Sequence, residues 1–234
     1  MRASYRPAMR MRTALWIAMI LLLAARIAPA QTTMPIREPI EWLDVWIPDT
    51  QATDHPRVLL IGDSITRAYY PLVETKLKGK AYVGRLATSK SIGDPALPRE
   101  ISLILSEEHF DIIHFNNGMH GWGYTEDDYR RQFPEFLSAI EKGAPDAKLI
   151  WATTTPVRQV GDLAKLSDRT DRVRQRNKIA ADIIGPLNIP TDDLFSLVVD
   201  HPEYWRPDGV HFQPPGVEAE AEQVAKSIEA ALGP

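Results

Sequence analysis

The sequence has no cysteine among its 234 residues. This absence excludes disulfide frameworks, thiolate zinc sites, cysteine nucleophiles and lipid attachment through an N-terminal cysteine. The sequence also lacks long runs of lysine and arginine, and its net charge is −4, which argues against a nucleic-acid partner. The chain is long enough for one globular domain with a substantial core, and too short for two domains of ordinary size.

The first thirty residues differ in composition from the rest of the chain. Residues 1–30 contain five arginines and no acidic residue, and residues 14–25 form an apolar run. That run is shorter than the about 20 residues that a membrane-spanning helix needs. Because Ala28-Pro29-Ala30 follows it, the pattern predicts a secretory signal peptide cleaved after Ala30, with an uncleaved signal anchor as the alternative.

Cleavage would leave an acidic exported protein. Loss of the five arginines in the leader changes the net charge from −4 to −9. The prediction is therefore a secreted or periplasmic protein with no stable membrane span after signal cleavage. Without cysteine, its stability must come from core packing, which a domain of this size can supply.

Short apolar runs alternate with amphipathic stretches after a proline-rich N-terminal segment. Residues 31–56 show no sustained period and predict an irregular arm in front of a domain of residues 57–234. The four clearest apolar runs are residues 57–61, 81–83, 112–115 and 149–152, with a weaker fifth at 187–189. Runs of this kind are typical of strands buried on both faces of a parallel sheet. Helical spacing between them predicts an α/β domain, a three-layer α/β/α sandwich with helices on both faces.

The first predicted strand ends in Gly62-Asp63-Ser64-Ile65-Thr66. Ligands of open α/β sheets bind at the carboxyl ends of the strands, so this turn lies on the ligand side. Ser64 would stand at a helix N-terminus, where free N–H groups and the helix dipole stabilise developing negative charge. The serine is therefore a candidate nucleophile, provided that a base takes its proton. The alternative is that Asp63 or Ser64 only caps the helix.

A base can be sought among six histidines. In Asp208-Gly-Val-His211 a carboxylate three residues before an imidazole could hold one ring nitrogen and leave the other for the serine. Asp111 and His114 have the same spacing, but they lie in a predicted buried strand, where His114 is interpreted as a hydrogen-bonded core residue. The Asp208 pair lies in a Pro/Gly-rich loop before the last helix, so His211 is the predicted base.

These motifs resemble those of a known family. GDSIT after the first strand and DGVH before the last helix are similar to the first and last signature blocks of the SGNH hydrolases, also called GDSL esterases, over roughly residues 55–232. The resemblance implies a flavodoxin-like sandwich with about five parallel strands and no metal or organic cofactor. It also implies that Ser64 attacks an ester carbonyl, that His211 accepts and returns the proton, and that Asp208 orients His211.

The resemblance further implies an oxyanion hole made of Ser64, Gly93 and an asparagine. Gly93 follows the second predicted strand, as the family glycine does. The third block departs from the family's Gly-x-Asn, because this chain has Asn116-Asn117-Gly118 there. Asn117 is the first choice for the side-chain donor and Asn116 the second.

Aromatic residues lie in two of the loops on the ligand side. His120, Trp122 and Tyr124 follow the third strand, and Tyr204 and Trp205 precede the aspartate of the last block. Aromatic platforms suit sugar rings, so His120, Trp122 and Trp205 are predicted substrate-binding residues. The alternatives are that the aromatics pack beneath their loops, and that His120 supports the oxyanion loop or acts as a rival base.

Other polar residues near these loops receive structural interpretations. Arg158 falls on the ligand side, where a solvated arginine is the commoner outcome. Arg169, Arg172, Arg174 and Arg176 lie in the helix predicted over residues 168–184 and indicate a solvent-facing surface laced with acids. Asp192 and Asp193 are predicted to cap the turn after the fifth strand.

Taken together, the sequence predicts a secreted serine esterase that forms an acyl-enzyme on Ser64. Short-chain, acetyl esters are the favoured substrates, and carbohydrate is the candidate alcohol, so the partner is a small-molecule or polysaccharide ester. Two alternatives stay open: acyl transfer to sugar hydroxyls, and a non-catalytic carbohydrate-binding module on the same fold. No stretch of sequence decides the oligomeric state.

Overall fold

The computed structural model describes residues 34–233. The chain divides into two units, Met1–Met34 and Pro35–Pro234, and the fold concerns the second of them. The predicted signal peptide, residues 1–30, lies outside the described residues.

Strands and helices alternate along the described chain, as the sequence predicts. The strands are β1 (Leu43–Trp46), β2 (Arg57–Gly62), β3 (Tyr82–Thr88), β4 (Ile112–Phe115), β5 (Lys148–Ala152), β6 (Arg158–Gln159), β7 (Asp162–Leu166) and β8 (Thr191–Asp192). The helices are α1 (Ser64–Lys76), α2 (Ala96–Glu107), α3 (Glu126–Gly143), α4 (Arg169–Ile184), α5 (Leu194–Val198) and α6 (Pro214–Leu232). None of these described helices is long and apolar enough to cross a membrane.

The central sheet has the strand order β1-β3-β2-β4-β5-β8. All neighbours are parallel except β1, which runs antiparallel to β3 and closes that edge of the sheet. The five parallel strands have the flavodoxin-like order, in which the direction of winding reverses between β2 and β4. Ligands of such sheets bind in the crevice at that reversal, so the loops after β2 and β4 meet where a site is expected.

Two apolar cores cover the two faces of the sheet. Along β2, Val58 and Leu60 belong to the core shared with α1, α5 and α6, whereas Leu59 and Ile61 belong to the core shared with α2 and α3. The alternation follows from the period of two in a strand. Each fully buried side chain of this kind contributes roughly 1.5–3 kcal/mol of transfer free energy. The three-layer α/β/α sandwich predicted from the sequence is confirmed.

The N-terminal arm is more regular than its sequence pattern indicates. Leu43–Trp46 forms β1 by pairing with β3, and Leu43 lies opposite Thr88. The strand has no simple alternation of burial, because Leu43 and Trp46 are both exposed at the edge of the sheet. β1 therefore forms because it pairs with β3, and its sequence has no alternation of apolar residues from which a strand could be predicted.

The fifth parallel strand lies later than predicted. Residues 187–189 are not a strand, since Gly185–Leu187 forms a 3-10 turn that ends at Asn188 in the left-handed conformation. The strand is Thr191–Asp192, directly after Pro190. Leu187 and Ile189 gave the apolar signal, but the turn places Leu187 half exposed at the surface.

Candidate active site

Ser64 begins helix α1 directly after the turn that ends β2. The turn is tight, because a Cβ on Gly62 would lie 2.0 Å from Oγ1 of Thr66. Asp63 caps the helix, and its carboxylate accepts a 2.9 Å hydrogen bond from the backbone N–H of Ile65. The capping role therefore falls to Asp63, which leaves the Ser64 hydroxyl available for other bonds.

The Ser64 hydroxyl meets the imidazole of His211. Ser64 Oγ lies 2.9 Å from His211 Nε2, and His211 Nδ1 lies 3.0 Å from Asp208 Oδ2. The other Asp208 oxygen accepts bonds of 2.8 Å from the backbone N–H groups of Val210 and His211. An ionised Asp208 can only accept, so Nδ1 carries a proton and Nε2 presents its lone pair to the serine.

The electrostatics of Asp208 suit this arrangement. Burial opposes its ionisation, but the two backbone N–H bonds and the bond from the His211 ring outweigh burial, so the pKa of Asp208 lies below its ordinary value. The carboxylate is therefore ionised at neutral pH. Serine, imidazole and carboxylate in this order can activate a hydroxyl nucleophile and stabilise the imidazolium that forms.

Of the competing residues Asp111 and His114, the histidine lies in the core, as the sequence predicts, whereas Asp111 is exposed just before β4. His114 is fully buried in β4, and its Nε2 lies 3.0 Å from Oδ2 of Asp192. Because the Asp192 carboxylate is bonded to the His114 ring, it does not cap the following turn. That cap comes from Asp193 alone, whose carboxylate accepts from the backbone N–H of Ser196 at the start of α5.

The two adjacent asparagines after β4 form different bonds. The Asn116 amide donates to the carbonyl of Ala152 at 2.7 Å and to Thr154 Oγ1 at 3.0 Å, which occupies both of its N–H bonds. The Asn117 amide donates once, to the carbonyl of Lys90 at 2.8 Å, and its oxygen accepts from the N–H of Ile92. Asn117 therefore keeps one N–H bond that no acceptor among the described residues uses.

Gly93 lies in the loop after β3, and the ring of Tyr124 covers it. A Cβ at Gly93 would lie 2.6 Å from three atoms of that ring, so any side chain there would displace the tyrosine. In the amide orientation that satisfies its surroundings, Gln132 of α3 donates to the carbonyls of Ile92 at 2.9 Å and of Gly93 at 3.2 Å. The peptide between Ile92 and Gly93 is therefore fixed from one side.

Ser64 and His211 open into a cavity of about 430 Å³. Residues 36–39 of the arm form one wall, and His120, Gly121 and Trp122 form another. Trp122 lines the cavity, and its contact with a substrate stays a prediction. The wall from the arm was not predicted, because these residues carry no motif and lie far from the serine in the chain.

His120 also lines the cavity, and a residue of the arm holds it. His120 Nδ1 lies 3.0 Å from Oε1 of Glu38, and the edge of the imidazole faces Trp42. The Nε2 atom is buried and has no hydrogen-bond partner among the described residues. His120 makes no recorded hydrogen bond to Ser64, whose hydroxyl bonds to His211. The structure therefore gives His120 a place in the cavity wall, beside the Ser64–His211 pair.

The arginine-rich face of α4 is only partly solvent-facing. Arg176 is 1% exposed and donates to the carbonyls of Gly118, His120 and Gly121. Arg172 donates to the carbonyls of Trp122 and Tyr124. These two arginines fasten the loop that carries His120 and Trp122, contrary to the surface role predicted for them. Arg174 remains at the surface in an ion pair with Asp171.

Trp205 and Arg158 are structural residues in this fold. Trp205 is fully buried and its ring packs 4.3 Å from that of Phe212, so the predicted contact of Trp205 with substrate is wrong. Arg158 is also buried, against the Trp205 ring, and donates to the carbonyls of Leu163 and Val199. The sequence placed both in loops on the ligand side, but their side chains turn into the core.

No group of three or more metal-ligating side chains occurs within the part of the chain that the structure describes. The buried Asp192–His114 pair has only two such groups.

Solved structures with the same fold include several esterases. A carbohydrate esterase of family 3 from Talaromyces cellulolyticus has a TM-score of 0.61 at 17% identity, over 76% of this chain and 98% of that one. A carbohydrate acetylesterase from Sinorhizobium meliloti has a TM-score of 0.61 at 11% identity, over 76% and 99%. A GDSL-like lipase from Bacteroides thetaiotaomicron has a TM-score of 0.57 at 19% identity, over 75% and 89%.

No protein-family model and no curated protein sequence matches this chain. At identities below one fifth, the similarity to the solved structures establishes a shared fold. That fold is the one implied by the resemblance of the GDSIT and DGVH motifs to the SGNH hydrolases.

Proposed function

We propose that this chain, which has the fold of GDSL-type lipases and carbohydrate esterases, is a serine esterase with Ser64 as its nucleophile. The observation that carries the proposal is the chain of hydrogen bonds from Ser64 Oγ through His211 to Asp208, with distances of 2.9 and 3.0 Å. This chain opens into a cavity of about 430 Å³, large enough for a small ester group. The hydrogen-bond geometry of Ser64 and its access to the cavity thus both support attack of Ser64 on an ester.

The proposed reaction begins with attack of Ser64 Oγ on the ester carbonyl. His211 Nε2 takes the hydroxyl proton and then gives it to the leaving alcohol, which yields an acyl-enzyme and the free alcohol. Water, deprotonated by the same Nε2, attacks the acyl carbonyl and releases the carboxylic acid and Ser64. Asp208 keeps its charge throughout and stabilises the imidazolium.

The proposed oxyanion hole has three donors: the backbone N–H groups of Ser64 and Gly93 and the side-chain amide of Asn117. Ser64 is the first residue of α1, so its N–H has no acceptor within the helix. The uncommitted N–H of Asn117 supports it over Asn116, whose two N–H bonds are both used. Preorganised donors of this kind are typically worth about 10²–10³ in rate each.

Short-chain esters, acetyl above all, on carbohydrate are the proposed substrates. Trp122 lines the same cavity as Ser64, and an indole side chain suits contact with a sugar ring. A carbohydrate esterase and a carbohydrate acetylesterase are among the solved structures with this fold. The intact Ser64–His211 contact favours catalysis over the non-catalytic binding module.

Covalent labelling tests the nucleophile. The purified protein is treated with a fluorophosphonate and its intact mass measured, beside Ser64→Ala and a matched Ser106→Ala control on the exposed face of α2. We expect one adduct and hydrolysis of p-nitrophenyl acetate in the wild type and in Ser106→Ala, and neither in Ser64→Ala. Turnover retained by a folded Ser64→Ala variant would overturn the assignment.

Substrate class is tested separately. Rates on p-nitrophenyl acetate and octanoate are compared, and acetate release is measured from an acetylated polysaccharide. Faster turnover of the octanoate ester would contradict the short-chain assignment. Adding a sugar acceptor and analysing the products distinguishes hydrolysis from acyl transfer, since only transfer yields an acylated sugar.

We propose that the protein is exported through the leader of residues 1–30. The arginine-rich start, the apolar run and Ala28-Pro29-Ala30 support cleavage by a signal peptidase. Expression of the full chain in a bacterial host, followed by N-terminal sequencing of the periplasmic fraction, should give a chain that begins at Gln31. An intact leader in the membrane fraction would instead support the signal anchor.

A further inference from the structure

The N-terminal arm contacts the loop that carries Gly93 along most of that loop's length. The loop, residues 89–94, follows β3, and the arm segment, residues 36–42, precedes β1. Ordered polar contacts join the two segments at both ends of the loop. This number of polar contacts with one loop indicates that the segment does more than cover the surface.

The far end of the loop is held by an ion pair. Arg37 Nε lies 2.7 Å from Oδ2 of Asp94, and its Nη2 lies 3.4 Å from Oδ1, so the guanidinium engages both carboxylate oxygens. The Asp94 side chain is 2% exposed, and it also accepts from the N–H of Ala96 at the start of α2. Asp94 directly follows Gly93, so Arg37 fixes the peptide next to the proposed oxyanion donor.

The near end of the loop is held by Glu41 and Trp42. The Trp42 backbone N–H donates to Ser89 Oγ at 2.9 Å, and the Trp42 carbonyl accepts from the Ser89 N–H at 3.1 Å. Glu41 accepts from Ser89 Oγ at 2.8 Å and pairs with the ammonium group of Lys90. Lys90 is also the residue whose carbonyl receives the Asn117 amide, so this end connects to the second proposed donor.

The middle of the loop is held through Tyr124. The backbone N–H of Ile36 donates to the Tyr124 hydroxyl at 2.7 Å, and the Tyr124 ring covers Gly93. From the other side, Gln132 holds the carbonyl of Ile92. In a planar trans peptide the N–H points away from the carbonyl, so holding the Ile92 carbonyl turns the Gly93 N–H toward the opposite side.

We propose that the arm of residues 36–42 is a positioning element of the active site, which holds the Gly93 loop in its oxyanion-binding conformation through the Arg37–Asp94 ion pair. The inference rests on the proposed esterase function. A displacement of about 1 Å in a catalytic donor can cost about 10²-fold in rate. The Arg37–Asp94 ion pair, called the clamp below, therefore acts on kcat. Arg37 and Asp94 are positioning residues, because they act through the Gly93 peptide.

The test uses both partners of the ion pair. Asp94→Asn keeps an acceptor for the Ala96 N–H but loses the charge that Arg37 binds, and Arg37→Ala removes the guanidinium. Arg174→Ala, which removes an arginine of similar exposure from its surface ion pair with Asp171, is the matched control. For each variant, kcat and KM are measured on p-nitrophenyl acetate, and hydrogen exchange is followed in peptides covering residues 88–96.

We expect Arg37→Ala and Asp94→Asn each to lower kcat about tenfold or more, with KM changed less than about threefold, and to speed exchange in residues 88–96. The double variant should resemble the single ones, because both remove the same contact. Arg37→Lys, which restores the charge, should recover part of kcat. Arg174→Ala should change none of these quantities.

These measurements distinguish failure of the clamp proposal from failure of the proposed esterase function. If the wild type hydrolyses esters and both variants keep its kcat, the clamp is overturned and the esterase stands. Unchanged hydrogen exchange in residues 88–96 also overturns the clamp, since exchange does not depend on activity. If the wild type hydrolyses no ester, the proposed function is overturned and the catalytic role of the clamp falls with it.

Discussion

The amides of Asn116 and Asn117, adjacent in the chain, bond to different loops of the sheet. Asn116 donates to Ala152 at the end of β5 and to Thr154 in the loop after it, whereas Asn117 donates to Lys90 in the loop after β3. The two asparagines therefore have separable roles, one in tying the loop after β5 and one in the proposed oxyanion hole.

Replacing the two asparagines should separate activity from stability. Asn117→Ala should lower kcat on p-nitrophenyl acetate by about 10²–10³, because one oxyanion donor is lost. Asn116→Ala should leave kcat within about tenfold and cost roughly 1–3 kcal/mol of unfolding free energy, since two buried acceptors lose their donor. Steady-state kinetics and urea denaturation of both variants check this. A larger kcat loss in Asn116→Ala would reverse the assignment.

Asp208→Asn should reduce turnover without unfolding the loop. An asparagine oxygen can still accept from the N–H groups of Val210 and His211, but the negative charge that stabilises the imidazolium is gone. We expect kcat to fall by about 10²–10⁴. Because the pKa of Asp208 lies below its ordinary value, the carboxylate is ionised around neutral pH, and its protonation should not limit wild-type activity there. Rate profiles from pH 4 to 9 for both proteins test the two statements; a variant within about threefold of wild type would contradict the role.

Glu220 should make the protein less stable as the pH rises. It is fully buried in α6, and neither carboxylate oxygen has a hydrogen-bond partner among the described residues. Burial, and then the charge of Asp63, raise the pKa of Glu220 well above 4.5. The folded state therefore holds a proton that the unfolded state releases. The contribution of Glu220 to the free energy of unfolding is fully present below pH 4.5 and declines as the pH rises toward the pKa of the folded state.

The corresponding measurement compares two glutamates on one helix. Between pH 5 and 8 the unfolding free energy of the wild type should fall by up to about 1.4 kcal/mol per pH unit relative to Glu220→Gln. Glu222→Gln is the control, because Glu222 is exposed and its lysine partners lower its pKa, so its titration lies below this window. Parallel pH curves for wild type and Glu220→Gln would show that the buried carboxyl is ionised.

Arg176 should matter for stability far more than its neighbour on the same helix. Arg176→Met leaves the carbonyls of Gly118, His120 and Gly121 without their buried donor, and we expect a loss of about 3 kcal/mol or more. Arg174→Met removes only a surface ion pair and should stay within about 0.5 kcal/mol. Urea denaturation gives both values. Equal effects would mean that Arg176 does not hold this loop.

The parts of the fold that the sequence predicted are those with a local signal. Buried parallel strands produce continuous apolar runs, so β2 and β4 lie where the pattern placed them. Ser64 directly follows Gly62 and Asp63 in the chain, and Asp208 and His211 are three residues apart, so both motifs can be recognised from short stretches of sequence. The choice of Asp208 over Asp111 came from loop context, and the hydrogen bond to Ser64 agrees with it.

The parts that the sequence missed depend on partners far along the chain. Glu38 and His120 meet across 82 residues, and Arg37 meets Asp94 across 57, so no spacing rule connects them. Trp205 lies three residues before Asp208, yet its side chain packs into the core. The direction of a side chain in an irregular loop is set by tertiary packing, which the apolar pattern does not encode.

The separation of 147 positions between Ser64 and His211 also bears on how the protein would acquire the proposed activity. The proposed nucleophile comes from the first loop of the parallel sheet and the base from the last, immediately before α6, which packs on α1. Closing such a long stretch of chain is a slow, non-local event in folding. Recovery of ester turnover after dilution from denaturant should therefore lag behind recovery of helical circular dichroism, and would report completion of the whole fold.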